Sequence, residues 1–226
     1  MDHSDEPDLA ALLPAAITDY RASWKPVDDD LYDLCRRRRP RHDDQLDVYT
    51  KVVIVGRVYS AQVVRAWPGV RDSENETAKV LVDEATRIEE GLHGLDGRPF
   101  GTDAAMKIVE LHRDLIDAIH HRCDKFLSSF VSKYLHFHCP IVPIFDNEAE
   151  AAIGKLVDRS GKRVQEARTA LPDAGGPDNA RIYRSYVSAF VVLHDRAYTK
   201  PKPSVKELDH LLWWTMNSRA TTTPKQ

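Results

Sequence analysis

Glycine occurs only 10 times in this chain of 226 residues, and long stretches run without either glycine or proline. An all-β chain needs such residues at its many tight turns, so their scarcity favours helices. The stretches between turn residues also carry helix ends. Residues 15–24 follow Pro14 and stop before Pro26, and residues 29–39 lead with acids, end in bases and meet Pro40. That charge order suits the helix dipole. Residues 74–90 are closed by Gly91, and Thr102 is placed to cap a helix over 103–123. Residues 126–138 end at Pro140, and Asp146 opens a helix reaching about Arg159. A polar loop with Pro172, Gly175, Gly176 and Pro177 precedes a helix over 179–198. Pro201 and Pro203 bracket a turn, after which Ser204 and Glu207 form a capping-box pattern for a last helix through Trp214.

Residues 44–67 are harder to assign. Val52, Val53, Ile54 and Val55 would suit a buried strand. The flanks lack turn signals, however, and Tyr49, Val53, Val63, Val64 and Trp67 continue an apolar spacing, so we read one long buried helix. The expectation is an all-α chain of roughly seven to nine helices. They would form a single compact domain over residues 15–216, between a flexible N-terminus (1–14) and a disordered tail (217–226).

Composition narrows the function classes. Hydrophobic residues make up 42% and charged residues 30%, which suits a soluble globular chain. The formal charge is −3, from 32 basic and 35 acidic residues, so any polyanion site must be local. The apolar runs are too short for a membrane span, and the acidic N-terminus lacks the form of a signal peptide. Cys35, Cys123 and Cys139 are too few and too irregular for a disulfide frame, which suggests a cytoplasmic protein. Ten histidines invite a metal site. Yet His136 and His138 diverge by about 200° on a helix, and no Cys-x-x-Cys pair occurs, so no metal or cofactor is expected.

The informative stretch is 126–146. On a helix, Phe126, Leu127, Phe130, Val131, Tyr134, Leu135, Phe137 and His138 share one broad arc. Ser128, Ser129, Ser132, Lys133 and His136 share the other. Three serines make an odd solvent face, since exposed helix faces favour Glu and Lys. Small hydroxyl residues there allow a backbone or ligand to approach closely. Lys133 stands at the edge of the apolar arc, where partial desolvation of its amine is the usual route to a nucleophilic lysine; a boundary lysine can equally snorkel to water. Residues 139–145 are apolar and stiffened by Pro140 and Pro143. They read as a buried extended link that delivers Asp146 to a helix start, either as a cap alone or as a carboxylate fixed near Lys133.

Ser132-Lys133 on an apolar helix, followed by a proline-bearing link to an aspartate at a helix start, resembles the core of the helix-hairpin-helix DNA glycosylase superfamily, including its 8-oxoguanine glycosylase-like branch. Residues 132–138 with Pro143-Ile144-Phe145-Asp146, preceded by Gly56-Arg57-Val58-Tyr59-Ser60, also resemble a group of uncharacterised bacterial proteins. The glycosylase resemblance implies that Lys133 is the amine that attacks the sugar C1′ carbon and that Asp146 assists departure of the base. Two family features are absent. Residues 122–131 hold no glycine for a phosphate-gripping hairpin, and no cysteine set for an iron–sulfur cluster occurs. The expected partner is DNA or a nucleotide, with Lys133 and Asp146 as catalytic residues. Arg57, Tyr59, Ser132 and His136 are the expected ligand contacts. The alternative is a non-catalytic helical interaction or nucleic-acid-binding module in which the same motif is structural.

Two further features carry expectations. Arg57 lies in a mainly apolar helix, and if buried it needs a partner such as Asp146 or a bound anion. The dense basic run Arg36 to Arg39 with Arg41 is flanked by Asp28 to Asp30, Asp43 and Asp44, which reads as a solvated, internally neutralised surface.

Overall fold

Asp8, Asp44, Asp72 and Asp146 each end an extended or irregular segment by accepting a backbone N–H from the first turn of a helix, at 2.8–3.0 Å. An aspartate there satisfies a donor that the helix cannot pair and meets its positive end. The helices so started are α1 (Leu9–Ser23), α3 (Gln45–Val58), α4 (Ser73–Asp83) and α8 (Asn147–Leu156). The others are α2 (Lys25–Asp33), α5 (Ala85–His93), α6 (Thr102–Cys123), α7 (Ser128–His138), α9 (Lys162–Ala170), α10 (Asp178–Arg196) and α11 (Val205–Asn217). These eleven, with a π-helical turn (Leu34–Arg38) after α2 and a 3-10 turn (Val63–Arg65) after α3, make up an all-α fold. The computed structural model describes residues 8–172, 178–197 and 200–217, and no strand occurs among them.

The expected capping box is present. The Ser204 N–H donates to Glu207 Oε2 at 2.9 Å, and the Glu207 N–H donates to Ser204 Oγ at 3.1 Å. Other boundaries differ from the sequence reading. Helix α1 begins at Leu9, inside the segment expected to be flexible, because Asp8 caps it. Pro14 is tolerated within it at an exposed position, where the carbonyl it leaves unpaired can reach water. Residues 1–7 and 218–226 of the two expected tails lie outside the described residues, as do 173–177 of the polar loop. The long helix expected over 44–67 stops at Val58, and the chain reverses through Ser60 (φ +48°) and Gln62 (φ +57°) before the 3-10 turn. Gly91 is not a terminator but lies inside α5, where a Cβ would come within 2.8 Å of Leu111 on α6. Gly101, rather than Thr102, holds the N-cap position of α6. Helix α9 was not anticipated, since only Val164 of its nine residues is buried.

One continuous apolar core joins the helices, and α7 runs through it, packed against α2, α3, α6 and α10. Its sequence divides into an apolar and a polar arc, yet both are covered: Phe130, Tyr134 and Phe137 are fully buried, and so are Ser132 and His136. Within the polar arc, Ser132 and His136 face other protein groups rather than water, whereas Ser129 and Lys133 line the site. No helix among the described residues is long and apolar enough to cross a membrane.

Candidate functional site

The turn that ends α3 and the extended segment after α7 meet at Lys133. Tyr59 is the C-cap of α3, and its carbonyl accepts a hydrogen bond from Lys133 Nζ at 3.2 Å. A cation suits the negative end of a helix. Lys133 also donates to Ser129 Oγ, one turn back on α7, at 3.0 Å, and lies 3.2 Å from Asp146 Oδ2. Its side chain is only 4% exposed, whereas that of Asp146 is 37% exposed. Asp146 uses its other oxygen, Oδ1, to accept the Ala149 N–H of α8 at 2.9 Å. The capping and lysine-facing roles considered for Asp146 therefore coexist, one on each oxygen.

Both residues open onto a cleft of about 660 Å³. Trp24, Phe126 and Trp213 line it as aromatic surfaces, and residues 58–62 form one lip. Trp213 is 39% exposed, which is unusual for so large an apolar side chain. Of the three non-glycine residues with positive φ among the described residues, Ser60 and Gln62 lie on that lip, and Asp124 turns the chain towards Phe126. Left-handed backbone at non-glycine residues is uncommon and tends to cluster at functional sites.

A second charged group lies in the same cleft. Lys206 Nζ on α11 donates to Asp209 Oδ2 at 2.9 Å and to the Tyr59 hydroxyl at 3.0 Å, and stands 3.5 Å from Asp28 Oδ2. The Tyr59 hydroxyl donates to Asp28 Oδ1. Burial opposes the charge on Lys206, but the carboxylates of Asp209 and Asp28 outweigh it and raise its pKa. Burial likewise raises the Asp209 pKa, with Lys206 opposing. Among the described residues, the cleft lining thus carries Lys133 and Lys206 against Asp146, Glu148 and Asp209, with no arginine. Its charge is close to balanced rather than basic.

The other expected ligand contacts stand elsewhere or do something else. Arg57 is exposed, not buried, and pairs with Glu74 of α4 at 3.0 Å instead of Asp146, outside the cleft. Arg57 falls on the side of α3 opposite the buried Val48, Val52 and Val55, so it turns outward although its neighbours in sequence are apolar. Tyr59 lines the cleft, and its polar groups are engaged by Lys133, Lys206 and Asp28. Ser132 and His136 are fully buried and do not line it. The Ser132 hydroxyl accepts the Phe145 N–H at 3.0 Å, and its proton lies between the carbonyls of Ser129 (3.0 Å) and Phe145 (3.3 Å). His136 donates through Nδ1 to the Val142 carbonyl at 2.6 Å and so accepts the Tyr32 hydroxyl at Nε2.

Sequence reasoning missed Trp24, Asp28, Lys206, Asp209 and Trp213. One signal was available: Asp209 falls on the same helical stripe as Val205, Leu208 and Leu212, an acid inside an apolar face. The others are marked by nothing local. Four arginines of the basic run are paired with nearby aspartates, Arg37 and Arg38 with Asp33, Arg39 with Asp47 and Arg41 with Asp43. Cys35, Cys123 and Cys139 are free and buried, and burial raises each thiol pKa. Among the described residues, no group of three or more His, Cys, Asp or Glu is placed to hold a metal ion. Comparison with protein-family models, curated proteins and solved structures found no match to this chain.

Proposed function

We propose that the cleft receives a nucleoside unit of DNA or a nucleotide and cleaves its N-glycosidic bond, with Lys133 as nucleophile and Asp146 as its electrostatic partner. The observation that carries this reading is the Lys133–Asp146 pair, 3.2 Å apart, at the inner wall of a cleft lined by Trp24, Phe126 and Trp213. Aromatic surfaces suit the flat face of a base, and stacking tolerates different bases. With no arginine among the described residues of the lining, the base and sugar occupy the cleft and any phosphates remain outside it.

Chemically, Nζ attacks C1′ and forms a C–N bond as the bond from C1′ to the base breaks. The electron pair of the broken bond leaves with the base. Before the attack the Lys133 ammonium gives one proton to Asp146, which passes it to the departing base. As the sugar ring opens, a second amine proton moves to the ring oxygen and leaves a Schiff base, which water hydrolyses to return the lysine.

Borohydride added during incubation with base-damaged DNA, and separately with nucleotides, should reduce that Schiff base to a stable adduct. Peptide mass analysis should place it on Lys133, and Lys133→Ala should form none. Absence of any adduct, or an adduct that persists in Lys133→Ala, overturns the reading.

A structural reading has one observation on its side. Three acceptors, the Tyr59 carbonyl, Ser129 Oγ and Asp146, already engage the Lys133 amine. On that reading the chain is a helical interaction module, and Lys133→Ala changes binding only in proportion to the fraction of folded protein.

A further inference from the structure

Residues 142–145 form a buried segment that belongs to no helix or strand, so its backbone groups lack the partners those elements provide. Four side chains take over that role, one for each residue in turn. His136 donates to the Val142 carbonyl at 2.6 Å, Tyr183 to that of Pro143 at 3.1 Å and Tyr186 to that of Ile144 at 2.7 Å. Ser132 accepts the Phe145 N–H at 3.0 Å. Tyr183 and Tyr186 are three apart on α10, so they share a face and reach successive carbonyls. Their rings also meet Phe145 edge-on, with centroids at 5.9 and 5.4 Å. The next residue is Asp146.

We infer that Tyr183 and Tyr186, with Ser132 and His136, are positioning residues that hold the backbone of 142–145 and thereby set where the Asp146 carboxylate stands against Lys133. Both carboxylate oxygens are engaged, one by the Ala149 N–H and one by Lys133, so a small shift of the segment disturbs the pair. That the pair is catalytic rests on the proposed function; that this grip sets its geometry does not.

The test uses Tyr183→Phe, Tyr186→Phe and the double variant, which keep the rings and remove the hydroxyls. Tyr134→Phe is the control, since Tyr134 is fully buried and its hydroxyl has no hydrogen-bond partner. Lysine-selective ¹⁵N labelling reports the Lys133 Nζ signal, assigned by its loss in Lys133→Arg. The signal should move towards that of a free lysine amine in the double variant, by a smaller step in each single variant, and stay in place in Tyr134→Phe. An unmoved signal in a cooperatively folding double variant, or in both single variants if the double does not fold, overturns the inference.

Where the wild type forms the borohydride adduct, its yield per folded molecule should drop by roughly tenfold to a hundredfold in the double variant. If the wild type forms none, the proposed function fails, and the lysine signal still decides the positioning role.

Discussion

Lys133 Nζ and Asp146 Oδ2 are 3.2 Å apart, and the carboxylate reaches this distance while its other oxygen caps α8. Substitution separates the two roles. Asparagine is as good an N-cap as aspartate but carries no charge. Both variants lose the charge that faces the buried Lys133, and Asp146→Ala should be less stable than Asp146→Asn by about 1 kcal/mol, the value of the cap. Both should reduce the Lys133 adduct to a similar extent. Chemical denaturation beside the trapping assay checks this, and an Asn variant that traps like the wild type would refute the electrostatic role.

Lys206 stands between two buried carboxylates, those of Asp28 and Asp209. Removing the cation alone leaves them facing each other without compensation. Lys206→Met should cost about 3–5 kcal/mol, the usual penalty for breaking a buried pair from one side. Adding Asp209→Asn should restore part of that loss. Urea unfolding of both variants measures the difference, and a double variant less stable than the single one would contradict the pairing.

Three fully buried histidines make the fold acid-sensitive. Burial holds His42 and His136 down to about 3, with Lys51 and Lys206 respectively adding to the effect, and holds His112 down to about 4, all from an ordinary 6.5. The unfolded chain therefore binds protons that the folded chain refuses. Stability is complete above about pH 6.5 and falls as the pH drops towards 4, by up to about 1.4 kcal/mol per pH unit for each histidine. Denaturant midpoints measured from pH 8 to pH 4 should be flat above 7 and fall below 6. Replacing His112, which stacks on Tyr183 at 3.6 Å, with Gln should flatten the slope even as it lowers stability at pH 7.

Helix propensity and packing make opposite predictions at Gly91. In an exposed helix interior, Gly→Ala gains up to about 1 kcal/mol. Here the added methyl would lie 2.8 Å from both terminal carbons of Leu111 and 3.2 Å from its Cγ, so rotation of that side chain alone does not relieve the clash. Overpacking should win, and Gly91→Ala should destabilise by about 1–3 kcal/mol. A rise in thermal midpoint would show that α5 and α6 are less tightly packed than they stand.

Arg57 provides the contrast to Lys133. Its side chain is 66% exposed and its partner Glu74 sits in the first turn of α4. Arg57→Ala should cost about 1–3 kcal/mol, because it leaves the buried Glu74 carboxylate without its partner, and should leave Lys133 adduct formation per folded molecule unchanged. A loss of trapping in the folded variant would bring Arg57 back into the site.

What the sequence by itself determined is what short-range chemistry decides. The scarcity of glycine pointed to helices, Ser204 and Glu207 formed their capping box, and Asp146 took up its place at the head of α8 after a buried proline-stiffened link. Each depends on neighbours within a few residues. Tertiary structure alone decided which of those residues meet. The reversal at Ser60 and Gln62, invisible in an unbroken run of apolar residues, turns the Tyr59 carbonyl to Lys133. Lys206 reaches Tyr59 and Asp28 from the far end of the chain. The small hydroxyls on the polar arc of α7 would admit either a backbone or a ligand, and Ser132 and His136 are enclosed because the 142–145 backbone needs their hydrogen bonds. Periodicity shows that a polar face exists; only packing decides whether water, a ligand or another stretch of backbone will satisfy it.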